Sequence, residues 1–86
     1  MKITYLPYNH TSRIGVTVPI HDLEDGEIGK CYGWDGKRVV LWRVDGPYVY
    51  KKRYHPDGSL EHDWTEQAVS LDHKREFFNR KVEIIE

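Results

Sequence analysis

The 86-residue sequence has a single cysteine, Cys31, so the chain can form no internal disulfide. A zinc site built from several cysteines is excluded for the same reason. A small domain without such cross-links depends on the packing of its side chains, and this use of cysteine is typical of a reducing compartment. The sequence therefore predicts a cytoplasmic protein.

Long apolar runs are also missing. No stretch approaches the roughly 18 apolar residues of a membrane-spanning helix, and the first residues lack the apolar run of a secretory signal. An excess of one charge is missing too, because 13 Lys and Arg face 14 Asp and Glu. We therefore expect no membrane partner and no indiscriminate capture of nucleic acid.

What the sequence does have is a composition typical of a folded chain, with 38% hydrophobic and 31% charged residues. Because a compact core takes up most of a chain this short, we expect one domain over residues 1–86. Turn-forming pairs cut residues 27–66 into four short segments, at 35–36, 45–47 and 56–58. These cuts predict an antiparallel meander with strands at 27–34, 37–44, 48–54 and 59–66.

Segments on either side of the meander complete the predicted fold. Residues 2–6 and 81–86 resemble short strands, the latter pairing with an edge of the sheet. Residues 13–20 alternate as a strand that buries Ile14, Val16, Val18 and Ile20. Ser70 is a suitable N-cap for a helix over residues 71–80. The sequence thus predicts a mainly β member of the α+β class: a twisted antiparallel sheet, curled toward an SH3-like or other small barrel, with one short C-terminal helix.

Register decides which side chains the sheet buries, since a slip of one residue exchanges its faces. Pro47 has no N–H to donate, which favours a three-residue second loop that sets Trp42 opposite Tyr50. A three-residue third loop likewise sets Tyr54 opposite Leu60 and Tyr50 opposite Trp64. The predicted core face then holds large side chains above Gly29, Cys31 and Gly33, and these are Val40, Trp42, Val44, Tyr48, Tyr50, Tyr54, Leu60 and Trp64.

The first hairpin carries the residues that we predict to bind a partner. Tyr32 and Trp34 lie off the predicted core face, and Trp, Tyr and Arg dominate binding at protein interfaces. We expect these two rings to anchor a partner protein with an acidic or apolar surface, assisted by the cations Lys30, Lys37 and Arg43. The alternative is that Phe77 and Phe78 of the predicted helix cover both rings as a second small core.

A second function is a single-stranded nucleic-acid platform, in which cations hold phosphates while rings stack on bases. Residues 37–54 contain six basic residues and one acidic residue, interleaved with aromatic rings. The cations of this alternative site are Lys37, Arg38, Arg43 and Lys52. The nucleic-acid function ranks second for two reasons. The predicted register pairs Arg53 with Glu61 and Lys51 with Asp63, which neutralises these cations, and the same register turns most of the aromatic rings into the core.

Neither a metal nor an enzymatic site is predicted. The histidines, at 10, 21, 55, 62 and 73, form no pair with the spacing of metal ligands. Cys31 would need a histidine base beside it to act as a nucleophile, and a core position favours an inert thiol. We therefore expect a non-enzymatic binding module without cofactors, most simply a protein regulator or inhibitor. A free sheet edge could also pair two copies into a homodimer.

Overall fold

The computed structural model describes residues 12–68 and 78–86. Within them, one open sheet contains six antiparallel strands: β1 (Thr17–Pro19), β2 (Ile28–Tyr32), β3 (Val39–Asp45), β4 (Tyr48–Tyr54), β5 (Leu60–Glu66) and β6 (Lys81–Ile84). Their order across the sheet is β1-β6-β2-β3-β4-β5. A 3-10 turn, Ile20–Asp22, follows β1. The mainly β antiparallel fold and the four-strand meander are confirmed.

Two parts of the predicted architecture are not confirmed. The described strands form an open sheet, which does not confirm closure into a small barrel. The strand predicted at residues 2–6 and most of the helix predicted at 71–80 lie outside the described residues. The alternative in which Phe77 covers Trp34 and Tyr32 concerns a residue that also lies outside the described ranges.

The first hairpin has the predicted register but a wider loop. Tyr32 lies opposite Val39, as a two-residue loop at Asp35-Gly36 would require. The last backbone hydrogen bond that joins the two sides of the hairpin, however, runs from the Gly33 N–H to the Arg38 carbonyl at 2.7 Å. The Asp35 carboxylate accepts from the backbone N–H groups of Lys37 and Arg38, which holds the pKa of Asp35 below its ordinary value. These bonds stabilise a four-residue loop.

The second hairpin is where the predicted register is wrong, by one residue. Val44 lies opposite Val49, and Asp45 lies opposite Tyr48, so the loop is only Gly46-Pro47. Gly46 has a φ of 60° and is followed by proline, whose φ is fixed near −65°. That combination suits a type II′ turn, in which the second loop residue need not donate a hydrogen bond. The Asp25 carboxylate accepts from the Gly46 N–H at 3.3 Å.

Because of this one-residue slip, the residues of β4 lie on the face opposite to the one predicted for them. The third hairpin has the predicted loop, with Tyr54 opposite Leu60. Farther along β5, two register shifts set Tyr50 opposite Glu66 and Arg53 opposite His62, so the predicted Tyr50–Trp64 and Lys51–Asp63 pairings are wrong. Five aromatic or aliphatic residues predicted in the core therefore lie on the opposite face, namely Tyr48, Tyr50, Tyr54, Leu60 and Trp64.

Strand β6 pairs with β2, the edge strand of the meander, as predicted, and β1 pairs with its other side, so that β6 lies inside the sheet. Val18 lies opposite Val82 on one side, and Gly29 lies opposite Ile84 on the other. Strand β1 is shorter than predicted because the chain turns at Gly15, which has a φ of 92°. Val18 and Ile20 are buried as predicted, whereas Ile14 and Val16 are exposed.

The hydrophobic core covers one face of the sheet. Val40, Val44 and Cys31 belong to it as predicted, and Trp42 packs against it. Val49 takes the place expected for the tyrosines and is fully buried. Phe78 meets the Trp42 ring edge-on, with 6.4 Å between ring centroids. The remaining buried members are Val18, Ile20, Leu23, Val82 and Ile84.

An ion pair ties the segment before β1 to the start of β2. The Arg13 side chain donates to both carboxylate oxygens of Glu27, at 2.9 and 2.6 Å. Its guanidinium also donates to the Asp22 carbonyl, and the Glu24 N–H donates to Glu27. The Arg13 hydrogen bond and the Glu24 N–H hold the pKa of Glu27 below its ordinary value, against a burial that raises it.

This ion pair predicts a loss of stability in acid. A carboxyl whose pKa is lowered on folding stabilises the protein fully above its unfolded pKa, about 4.3 for glutamate, and that contribution disappears as the pH falls through the folded pKa. We expect Glu27→Gln to lower the free energy of unfolding by about 1 kcal/mol at pH 7 and by much less near pH 3. Urea titrations at both pH values measure this difference. An equal loss at both would contradict the role of the charge.

Candidate functional site on the open sheet face

The face of the sheet opposite the core is the candidate site, and we call it the open face. Its described side chains come from four neighbouring strands, β2 to β5, and every one is half-buried or exposed. Register and ring contacts place five aromatic side chains there, four of them as a consequence of the two-residue loop at Gly46-Pro47. The rings are Tyr32, Tyr48, Tyr50, Tyr54 and Trp64.

Cations lie over these rings. The Arg43 guanidinium is 4.2 Å from the Tyr50 ring centroid and 4.9 Å from that of Trp64. The Lys52 ammonium lies 5.6 Å from the Tyr54 centroid and 5.7 Å from that of Trp64. Such contacts stabilise a pair by about 0.5–1 kcal/mol at exposed sites. They also hold long, flexible side chains in place, so less entropy is lost when a partner binds.

The charges of the open face are close to balanced. Lys30 is opposite Glu83 in the sheet, and the Lys52 ammonium is 3.8 Å from the Asp63 carboxylate. Tyr50 is opposite Glu66, which adds another carboxylate to the same face. The surface therefore offers rings and paired charges, with no large excess of positive potential.

The structure divides the predicted protein-binding residues between two places. Lys30, Tyr32 and Arg43 lie on the open face. Trp34 is 96% exposed at the loop of the first hairpin, where it borders a pocket on the opposite side of the sheet. Lys37 is exposed in the same loop. Exposure of Trp34 was expected, but this ring does not join the others.

The predicted nucleic-acid-binding cations are divided in the same way. Arg43 and Lys52 share the open face, and Lys37 lies in the first hairpin loop. Arg38 points to the pocket side, where its guanidinium contacts Asp35 at 2.6 Å and Glu61 at 3.3 Å. The expected pairing of Arg53 with Glu61 exists as an ion pair of 3.1 Å, although His62 is the residue directly across from Arg53.

Sequence reasoning missed Tyr48, Tyr50, Tyr54 and Trp64 as surface residues. The usable signal was the Gly-Pro pair at 46–47, because glycine followed by any residue is a favoured two-residue hairpin loop. A two-residue loop at Gly46-Pro47 predicts that Val49 points into the core and that Tyr50 points to the opposite face of the sheet.

Cys31 is buried and borders the pocket, and no histidine lines that pocket in the described part of the chain. Across residues 12–68 and 78–86, no three potential ligands among His, Cys, Asp and Glu come together in a way that could hold a metal ion. The same residues contain no helix with the length and apolar character needed to cross a membrane.

Comparisons with protein-family models, with curated proteins and with solved structures find no match to this chain. Residues 12–68 and 78–86 form a small, open antiparallel sheet with an aromatic, charge-balanced face.

Proposed function

We propose that the protein is a non-enzymatic binding module and that a partner protein docks on the open face. The observation that carries the proposal is the cluster in which Arg43 lies between Tyr50 and Trp64. Tyr, Trp and Arg supply most of the binding energy at protein interfaces because they bury large areas with few rotamers to restrict. A regulator or inhibitor of another protein fits this surface best.

The chemistry of the partner follows from the neighbours of that cluster. Leu41 and Val39 are half-buried on the open face and offer apolar contact. Lys30, Arg43 and Lys52 offer charge-assisted hydrogen bonds to carboxylates. The matching surface is therefore an apolar patch bordered by acidic groups, and Tyr32 at the end of β2 extends the contact area.

The test is capture of partners from native cell extract, with and without nuclease, by the wild type and two variants. We expect Tyr50→Ala to weaken the captured partner's binding by about 30-fold or more, as for a residue at the centre of an interface. Trp34→Ala removes a still larger ring away from the open face and serves as the control. Thermal unfolding checks that both variants fold. Loss of capture with Trp34→Ala alone would move the interface to the hairpin loop.

A second candidate function, binding of single-stranded nucleic acid, is favoured by one specific observation. The tyrosines of β4 lie on the same face as Lys30, Arg43 and Lys52 rather than in the core, so stacking rings and cations share one face. The charge balance of the face weighs against it. A complex that neutralises three phosphates has a slope of about −2 when the logarithm of affinity is plotted against that of salt concentration. We expect no such complex with mixed oligonucleotides at low salt, and a slope near −2 would favour this candidate instead.

A further inference from the structure

A pocket of about 430 Å³ lies on the core side of the sheet. The first hairpin and strands β3 to β5 form its walls, and Arg80, just before β6, completes them. Its volume lies within the range of sites for small molecules, about 300–1,000 Å³. The open face is on the other side of the same strands, so a ligand here would not compete directly with a partner protein there.

Positive charge exceeds negative charge in this pocket. Among the described residues, its lining contains four cationic side chains, Arg38, Lys51, Arg53 and Arg80, against the carboxylates of Asp35 and Glu61. The two acids contact Arg38 and Arg53, and together they neutralise that pair of cations. Lys51 and Arg80 contact no carboxylate among the described residues. This excess of positive charge favours an anionic ligand.

Buried hydrogen-bond donors without partners also favour an anionic ligand. The indole N–H of Trp42 and the Nε–H of Arg53 are shielded from water, and no described residue accepts a hydrogen bond from either. A buried donor without an acceptor costs about 1–3 kcal/mol. An oxyanion between Lys51, Arg53 and Trp42 would accept from both donors. Oε1 of Glu61, by contrast, already faces the Arg38 guanidinium at 3.3 Å, so the unmet hydrogen-bonding capacity on this side is that of the two donors.

An exposed ring completes the site. Trp34 lines the pocket with 96% of its surface in water, so its indole face is free to stack. An indole is the strongest platform among side chains for a flat ring, and base–aromatic stacking contributes about 1–3 kcal/mol per ring. We propose that this pocket binds a small molecule that joins a flat ring to an oxyanion, with a size up to that of a mononucleotide.

The proposal is tested by calorimetric titration with AMP, adenosine, inorganic phosphate and indole-3-acetate at concentrations up to about 5 mM. We expect AMP, indole-3-acetate or both to bind, and to bind more tightly than adenosine or phosphate, which each lack one half of the ligand. Binding of AMP alone identifies a phosphate as the oxyanion, and binding of indole-3-acetate alone identifies a carboxylate. If neither binds, or if phosphate alone binds as well as AMP, the proposal is wrong.

Neighbouring lysines on β4 provide a matched pair of variants. Lys51 lines the pocket, whereas Lys52 lies on the open face. We expect Lys51→Met to weaken the bound probe at least tenfold, Trp34→Ala to weaken it similarly, and Lys52→Met to leave it unchanged. An effect of Lys52→Met equal to that of Lys51→Met would overturn the assignment. Because partner capture depends on the open face, a pocket that binds no probe leaves the proposed function unaffected. Likewise, failure to capture a partner leaves the pocket proposal unaffected.

Discussion

Ending the chain after Arg80 is expected to abolish folding, although it removes only the segment 81–86. That segment contains β6, which lies between β1 and β2 and hydrogen-bonds to both. The side chains of Val82 and Ile84 are each 1% exposed, and burial of each contributes about 1.5–3 kcal/mol. Because the stability of a whole domain is about 5–15 kcal/mol, these losses and the unpaired backbone of β1 and β2 exceed what the rest can offset.

Far-UV circular dichroism and urea titration measure this outcome. The control is a double substitution, Lys81→Gln with Glu83→Gln, which keeps the backbone of β6 and changes two exposed side chains. We expect the control to stay within about 0.5 kcal/mol of the wild type. A truncated chain that still unfolds cooperatively would show that the meander β2 to β5 is stable without its neighbours.

Gly29→Ala is expected to destabilise the protein by about 2 kcal/mol or more. A Cβ at this position would lie 2.8 Å from the Cβ of Val82 and closer still to its Cγ2, well inside van der Waals contact. Gly29 is buried in β2 directly opposite Ile84, so neither strand can move away without disturbing the core. Overpacking of this kind typically costs about 1–3 kcal/mol, and here the obstacle includes a β-branched side chain with little rotamer freedom.

Gly33→Ala is the matched control for that substitution. Gly33 has no positive φ, and a Cβ there would meet its nearest atom at 3.4 Å, an ordinary contact. We expect its unfolding midpoint to remain near that of the wild type. Equal destabilisation by the two variants would mean that loss of glycine from β2 and its loop matters more than the contact with Val82.

The elements of this fold follow from local signals in the sequence. Asp-Gly and Pro-Asp-Gly set the first and third reversals, and the alternation from Val40 to Val44 set the inward side of β3. The inward side of β4 could not be inferred in the same way, because it depended on whether Pro47 was the residue after the loop or its second member. The choice between these two loops shifts the register of β4 by one residue and moves its tyrosine rings to the opposite face of the sheet.

Two other features were beyond local reasoning. The register shifts of β5 depend on contacts across the sheet, including the ion pair of Arg53 with Glu61, and no composition signal marks them. The pocket depends on which face Lys51 and Arg53 occupy, so it could not be predicted once the β4 register was wrong. Trp34 was predicted to share a face with Tyr32, but the four-residue loop of the first hairpin sets its exposed ring beside the pocket instead.

The edges of the sheet bear on the predicted homodimer. Strand β1 is three residues long and ends in Pro19, which has no N–H to offer a second chain. Strand β5 is longer, but its two register shifts interrupt the regular row of backbone groups that a new strand would need. Homodimer formation through an edge stays a prediction, and sedimentation at several protein concentrations measures it.

The place of β6 between β1 and β2 also dictates an order of assembly. Hairpins β2 to β5 join residues that are near one another in the chain and close on a microsecond scale. Val18 and Val82 are far apart in sequence, and bringing them together requires closing most of the chain into a loop. The meander should therefore form first, and docking of residues 81–86 should set the folding rate. Substitutions in β5, which is formed before that step, should then slow refolding and leave the unfolding rate nearly unchanged.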